Sequence, residues 1–288
     1  YGLDVLVLDE QPALGGQIYR NIENAPKEKI KILGPDYRRG QGLAERFRKS
    51  GVECVPNAIV WRIAPNGNIC FSKDGSSTEI NAGNIIIATG AMERPIPFPG
   101  WTLPGVMGVG AVDANFKSSG VVPKGPVAMA GSGPLLLSVA GHLATLGVQI
   151  AAMLDTTPTG HFLSSIPFLP RALRRPGYLL KGIGLLLNAR KTGMHYIGGV
   201  TAYRAHGNGR LDHVSFETKH GTRHVDAGIL LVHEGIIPRC DLTRQLGMRH
   251  RWNPVQRYWH PETDGLGATE IPAVHVAGDG AFVYGGIP

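Results

Sequence analysis

The sequence predicts an α/β fold in which one module occurs twice, each copy built on a parallel central sheet with a small antiparallel meander. Three observations carry this expectation. First, Gly2-Leu3-Asp4-Val5-Leu6-Val7-Leu8-Asp9-Glu10 is echoed by Gly147-Val148-Gln149-Ile150-Ala151-Ala152-Met153-Leu154-Asp155, and Ala82 to Gly90 is echoed from Ala227 to Gly235, both at an offset of 145 residues (Glu10 to Asp155, Ala82 to Ala227). Second, a glycine-rich turn, Gly131-Ser132-Gly133-Pro134, precedes Asp155 by 24 residues (131 to 155), the spacing a dinucleotide fold keeps between its phosphate turn and its ribose-binding acid. Third, short all-apolar runs end at polar or glycine turns, as parallel strands covered on both faces do. The same step back from Glu10 lands before Tyr1, so the front of the first copy is expected to be missing.

In chain order, Val5 to Leu8 is such a run and reads as the second, inner strand of a doubly wound sheet. Gln11-Pro12-Ala13-Leu14-Gly15-Gly16-Gln17 follows as a loop whose paired glycines allow close approach of a ligand to the backbone. A helix is expected over Gly42 to Lys49, then extended chain from Val52 to Ile63. Asn66-Gly67 and Lys73-Asp74-Gly75 are hairpin turns, so residues 52–88 form a meander leading into Ile85-Ile86-Ile87. The second copy repeats this from Tyr196 to Arg204, through turns at Asn208-Gly209 and Gly221, into Ile229 to Val232. Proline-rich chain from Arg94 to Trp101 reads as a crossover, which places the first domain at 1–100 and 270–288 and the second at 101–269. Residues 161–192 are an insertion, apolar at Ile183 to Leu187 and flanked by basic residues; amphipathic capping helices, an interface between subunits and membrane contact are its readings, in falling order. Val274-His275-Val276 is a last buried strand entering Gly278-Asp279-Gly280.

The 288 residues suit two domains, and 43% apolar content with near-zero mean hydropathy marks a globular chain. Forty glycines are about twice the usual share, as tight turns beside nucleotide phosphates require. The net charge of +7 is scattered outside Arg171 to Lys191, and no nucleic-acid site is read from it. Cys54, Cys70 and Cys240 are too far apart for a redox pair or a metal cluster and read as thiols of a reducing compartment, the cytoplasm. No apolar run is long enough to span a membrane.

Four sets of residues carry chemistry. Gly131 makes a turn between strand and helix, Gly133 lets a pyrophosphate approach the backbone, and Pro134 suits the first helical position. The third glycine of the pattern is replaced by Leu136. Glu10, or Asp9 if the strand ends one residue sooner, can accept both hydroxyls of a ribose, and Asp155 is its counterpart. Gly278 and Asp279 follow a strand aimed at the same crevice as the first copy. Four candidate bases, His233, His250, His260 and Tyr19, do not separate from structural residues, so none is assigned.

Val7 to Pro12 with Gly15-Gly16-Gln17-Ile18-Tyr19-Arg20, Ala88-Thr89-Gly90-Ala91 with Arg94-Pro95, Phe98-Pro99-Gly100-Trp101, Gly131 to Leu137 and Ala277 to Ala281 together resemble the flavin-dependent two-dinucleotide-binding oxidoreductases, related to the pyridine nucleotide-disulfide oxidoreductases. The resemblance is strongest to the large or alpha subunits of the opine oxidase, hydrogen cyanide synthase and dye-linked proline dehydrogenase group. It implies tandem FAD/NAD(P)-binding three-layer ββα domains. By this resemblance Glu10 meets the FAD ribose, and Gly15, Gly16 and Gln17 line the path from pyrophosphate to flavin. Thr89 and Gly90 stand at the crossover, and Gly278 and Asp279 at the ribityl phosphate. Gly131, Gly133 and Asp155 would take NAD(P) or, as in the proline dehydrogenase type, ATP or another adenine nucleotide. It further implies oxidation of a C–N bond of an amino acid or opine-like amine, and partnership with a smaller flavoprotein subunit. The cysteine that disulfide reductases carry soon after the paired glycines is replaced by Gln17-Ile18-Tyr19-Arg20, which excludes disulfide reduction. An NAD(P)H-dependent flavin reductase and a nucleotide-binding structural subunit are the competing readings.

Overall fold

A computed structural model describes residues 2–158 and 194–283, together with Gly160, Gly177, Gly182 and Gly184. The insertion expected at 161–192 lies outside the described residues. In chain order the elements are β1 (Leu6–Asp9), α1 (Lys27–Lys49), β2 (Glu53–Pro56), β3 (Ile59–Ile63), β4 (Asn68–Lys73), β5 (Ser76–Asn81), β6 (Ile85–Ile87) and β7 (Ala91–Glu93). Next come β8 (Val106–Gly108), α2 (Val109–Ser119), β9 (Val127–Gly131), α3 (Pro134–Thr145), β10 (Ile150–Asp155), β11 (His195–Ile197), β12 (Ala202–His206), β13 (His213–Thr218), β14 (Gly221–Asp226) and β15 (Ile229–His233). The chain ends with β16 (Ile236–Pro238), α4 (Asp241–Gln245), β17 (His250–Asn253), β18 (Tyr258–Pro261) and β19 (Val274–Val276).

Two compact units result, one of residues 1–92 and 236–288, the other of residues 93–235. The return to the first unit therefore falls at Ile236 rather than at residue 270, and the outward crossing at Glu93 rather than near residue 100. Packing explains the first shift: Leu242, Leu246 and Met248, around α4, join Ile63, Ile69, Ile85, Ile87, Val274 and Val276 in one core. Burial of these large side chains decides membership, at about 1.5–3 kcal/mol for each fully buried one.

The second unit has three layers. Its five-stranded sheet runs β11-β10-β9-β15-β8, parallel throughout. The helices α2 and α3 cover one face through Val109, Val112, Leu136, Val139 and Leu143, which meet Val127, Met129, Met153 and Leu231. The antiparallel meander β12-β13-β14 covers the other, Val214 and Phe216 packing on Ala128, Ala130, Leu154 and Leu230. Central strand β9 is buried along its whole length, and its alternate residues serve the two cores in turn. Strand order reverses at β9, since α3 leads to β10 on one side while β15 lies on the other.

The first unit carries the equivalent meander, β3-β4-β5. The offset of 145 residues takes Asn68–Lys73 onto His213–Thr218 and Ser76–Asn81 onto Gly221–Asp226. Its parallel strands form two pairs, β1 with β2 and β6 with β19. Among the described residues β1 bonds to β2 alone, and Leu6 is 40% exposed.

Two further expectations change. The helix expected at Gly42 to Lys49 begins at Lys27 and is broken at Gly34, whose φ of 84° and ψ of −173° are not helical. Pro35 cannot donate to the preceding turn, and glycine at 34 accommodates the break. The extended run from Val52 to Ile63 divides at Asn57 (φ 58°) into a parallel strand and a meander strand, and that from Tyr196 to Arg204 divides likewise at Gly199 (φ 70°). One continuous strand cannot serve two layers.

Candidate functional site

In the second unit the turn after β9 lies where the sheet reverses its order, the place at which open parallel sheets leave a crevice for ligands. Gly131 has φ 128°, and a Cβ there would stand 1.9 Å from the carbonyl oxygen of His233. That carbonyl accepts the N–H of Ser132 at 2.9 Å, so the turn is clamped to β15. Gly133 has φ 100° and only the His233 ring, at 3.9 Å, near its missing Cβ, which leaves its face open. Pro134 begins α3, whose first N–H groups point at the same space. Leu136, at the third glycine position, is 2% exposed and belongs to the core.

Asp155 ends β10 in register with Gly131. Its Oδ1 accepts the Thr157 N–H at 2.9 Å, and its Oδ2 accepts the hydroxyl of Tyr196 from the neighbouring strand. The expected acid and the expected turn are therefore side by side.

Beneath the turn, His233 is 5% exposed and its Nδ1 lies 2.8 Å from Glu93 Oε1. Glu93 Oε2 accepts the Gly110 N–H in the first turn of α2 at 2.8 Å. A Cβ on Gly108 would meet Glu93 Oε2 at 2.2 Å, so glycine leaves room for the carboxylate. This arrangement makes His233 a structural link between β15 and α2. On the opposite face, Glu234 accepts hydroxyl groups of Thr156 at 3.2 Å and Tyr203 at 3.4 Å. Burial pushes the Glu234 carboxyl up, against the hydrogen bonds of Thr156 and Tyr203 and the charges of His233 and Arg94. Burial first, then the charge of Glu234, pushes the Tyr203 phenol up.

In the first unit, Glu10 directly follows β1 and is half-exposed. Its Oε1 accepts Gln11 Nε2 and Arg239 NH1, each at 3.3 Å. The loop beyond it turns at Gly15 (φ 127°) and Gly16 (φ 53°). A Cβ on Gly15 would stand 2.0 Å from the Tyr19 carbonyl oxygen, whereas Gly16 has nothing within 4 Å. Gln17 Oε1 accepts Arg20 NH2 at 2.8 Å. The parallel pairing of β6 and β19 brings Thr89 and Gly90 beside Gly278, Asp279 and Gly280, and a Cβ on Gly280 would lie 3.4 Å from Gly90 N. Gly90 and Gly278 have positive φ and open space at their Cβ positions. Both units thus present glycine faces that side chains would fill, beside carboxylates at strand ends, and this fits an extended dinucleotide.

Arg239 was not singled out from the sequence. Its N–H donates to Gly90 O at 3.0 Å, its carbonyl accepts Thr89 Oγ1 at 3.2 Å, and its guanidinium reaches Glu10, linking the first unit's two groups of site residues. Its placement just after Ile236-Ile237-Pro238, outside any motif, left no signal.

The candidate bases fill structural places. His250 Nδ1 donates to the Met248 carbonyl at 2.8 Å and its Nε2 lies 3.0 Å from Thr243 Oγ1; burial pushes its pKa down. His260 packs edge-on against Phe282 and Tyr258, and Tyr19 packs on Gly40. All three cysteines are free, and burial pushes the thiols of Cys54 and Cys240 up, away from the reactive thiolate. No cluster able to hold a metal occurs among the described residues.

Tandem ββα units with glycine cradles at the ends of parallel strands define a class, the two-dinucleotide-binding oxidoreductases. The chain belongs to the pyridine nucleotide-disulphide oxidoreductase family, whose sequence profile matches residues 1–288. It is 39% identical to an opine oxidase subunit from Rhizobium meliloti over 99% of this chain and 55% of that protein. It is 32% identical to hydrogen cyanide synthase subunit HcnB of Pseudomonas aeruginosa over 99% of this chain and 63% of that protein. The chain therefore spans somewhat more than half the length of these relatives. Among solved structures, L-proline dehydrogenase from P. horikoshii superposes with a TM-score of 0.64 at 17% identity, over 97% of this chain and 46% of that one, a likeness of fold.

Proposed function

We propose that the protein is an FAD-dependent oxidoreductase subunit that oxidises a C–N bond of an amino acid or opine-like secondary amine and passes electrons to an acceptor. The observation that carries this reading is the 39% identity to the Rhizobium meliloti opine oxidase subunit over 99% of the chain. Bound FAD would supply the two-electron chemistry; the chain supplies position and electrostatics. In the first unit Glu10 would accept the ribose hydroxyls, and Gly15, Gly16 and Gln17 would line the path toward the flavin. Thr89, Gly90, Gly278 and Asp279 would hold the opposite end of the cofactor. In the second unit Gly131, Gly133 and Asp155 would take NAD(P), with ATP as the competing adenine ligand. A smaller flavoprotein subunit completes a hetero-oligomer in the cytoplasm, where free thiols persist. No proton-transfer residue is assigned.

The test is spectral. The purified full-length protein is expected to show a flavin spectrum that an amino acid or opine bleaches without added NAD(P)H. Bleaching by NAD(P)H alone would make it a flavin reductase, and a colourless protein that binds adenine nucleotide would make it a structural subunit. Competition between NAD(P) and ATP assigns the second cradle.

A further inference from the structure

Arg20 is a cation without a counter-charge among the described residues. Its NH1 donates to Gln11 Oε1 at 2.6 Å and its NH2 to Gln17 Oε1 at 2.8 Å, both neutral amides. Its Nε is buried and has no hydrogen-bond partner. Among the described residues no carboxylate stands within ion-pair distance of it. The guanidinium is thus half-buried, its Nε withdrawn from water and its NH2 edge open to it; a cation so placed with no counter-charge is favoured by an anion reaching the open edge, and its planar fork matches paired phosphate oxygens.

The surroundings hold this group in place. Tyr37 Oη donates to the Arg20 carbonyl at 2.7 Å, and Tyr19 N–H donates to Gly15 O at 2.9 Å. Gly40 makes room for the Tyr19 ring, since a Cβ there would stand 2.5 Å from Tyr19 Cδ1. Gln11 is itself anchored, its N–H donating to Asp9 Oδ1 at 2.9 Å and its side-chain amide to Glu10. The guanidinium is therefore held between Gln11, which follows the acids at the end of β1, and Gln17, which follows Gly16. In a dinucleotide laid along that path, the group between the ribose and the distal ring is the diphosphate.

We propose that Arg20 is the anion receptor of the first cradle and takes the diphosphate of its dinucleotide. The inference rests on the reading of the first unit as an FAD cradle. The alternative anion is the carboxylate of an amino-acid substrate, which shares the same oxygen chemistry.

The experiment compares the full-length protein with R20Q and R20K after removal of flavin, titrating FAD, ADP and riboflavin. R20Q is expected to weaken FAD and ADP by about tenfold or more, the scale of one lost charge-assisted hydrogen bond. R20K, which keeps the charge but not the fork, falls between. Riboflavin, having no phosphate, binds all three proteins alike; a collapsed loop would weaken it too, and circular dichroism and melting curves check folding independently. Unchanged FAD and ADP affinity in R20Q overturns the proposal, and so does a rise confined to the KM of the amine substrate, which assigns Arg20 to a carboxylate. Failure of the wild-type protein to bind FAD sinks the underlying flavin reading instead.

Discussion

Single residues decide the geometry of both cradles. Gly131→Ala would drive a methyl group into the His233 carbonyl at a φ that L side chains avoid, and backbone shifts of that kind cost about 1–3 kcal/mol or more. The variant is expected to melt earlier and to bind adenine nucleotide more weakly, whereas Gly133→Ala, strained by its φ of 100° but meeting no carbonyl, should lower the melting temperature less than Gly131→Ala while still weakening binding. Equal effects at the two positions would show that the clamp on β15 is not what shapes the turn. Glu234 gives a prediction in pH. Its folded pKa is raised, so between the ordinary carboxylate value and the raised one the native state holds more proton than the unfolded chain. Stability attributable to this group falls as pH rises through that window and is level above it. Chemical denaturation of the wild type and Glu234→Gln at pH 4.5, 6 and 8 should show the variant's relative stability growing with pH. A constant difference would refute the assignment.

At the scale of elements, two of the three glycines of α1 have opposite roles. Gly42 is exposed, lies within the helix, and has nothing within 4 Å of its Cβ position. Gly42→Ala should therefore stabilise by about 0.5–1 kcal/mol. Gly34 holds the break at φ 84°, and Gly34→Ala should destabilise by about 1–2 kcal/mol. Urea unfolding midpoints of the two variants test both signs at once. The sequence exposed these elements unevenly. The meanders were legible because turn residues recur at a fixed offset and local hydrogen bonding fixes their geometry; Asn208-Gly209 needs no distant partner. The adjacency of the Gly131 turn and Asp155 was legible for the same reason, the two being joined through one strand-helix-strand unit. The Glu93 to His233 pair and Arg239 were not, since each depends on chain more than a hundred residues away. The first half of α1 was missed because Gly34-Pro35 interrupts the periodicity on which a helix is recognised.

For the whole molecule, the division at 92/93 and 235/236 makes a direct prediction. Residues 93–235 contain all of β8 to β15 and both of that unit's core clusters, so this segment expressed alone should be soluble and unfold cooperatively. Residues 1–92 alone lack Leu246, Met248, Val274 and Val276 from their core and should show no cooperative transition by calorimetry. The reverse result would place the boundary elsewhere. The sequence reading put the return 34 residues too late, at 270 instead of 236, because α4 and the β17-β18 hairpin bear no signature of the unit they complete.

This interrupted threading has a consequence for how the polypeptide matures. As the ribosome delivers it, the stretch before residue 93 must wait, incomplete, while the enclosed stretch acquires its own shape. Once that has happened, the Arg94 amide and the Gly235 carbonyl are held 2.9 Å apart, so the two ends of the waiting portion emerge already adjacent. Bringing together the ends of a slack loop of that length would otherwise cost about 4 kcal/mol of chain entropy. The enclosed stretch thus works as a clasp, and an amino-acid change that slows its closure should delay the outer portion as well, even at positions that touch none of it.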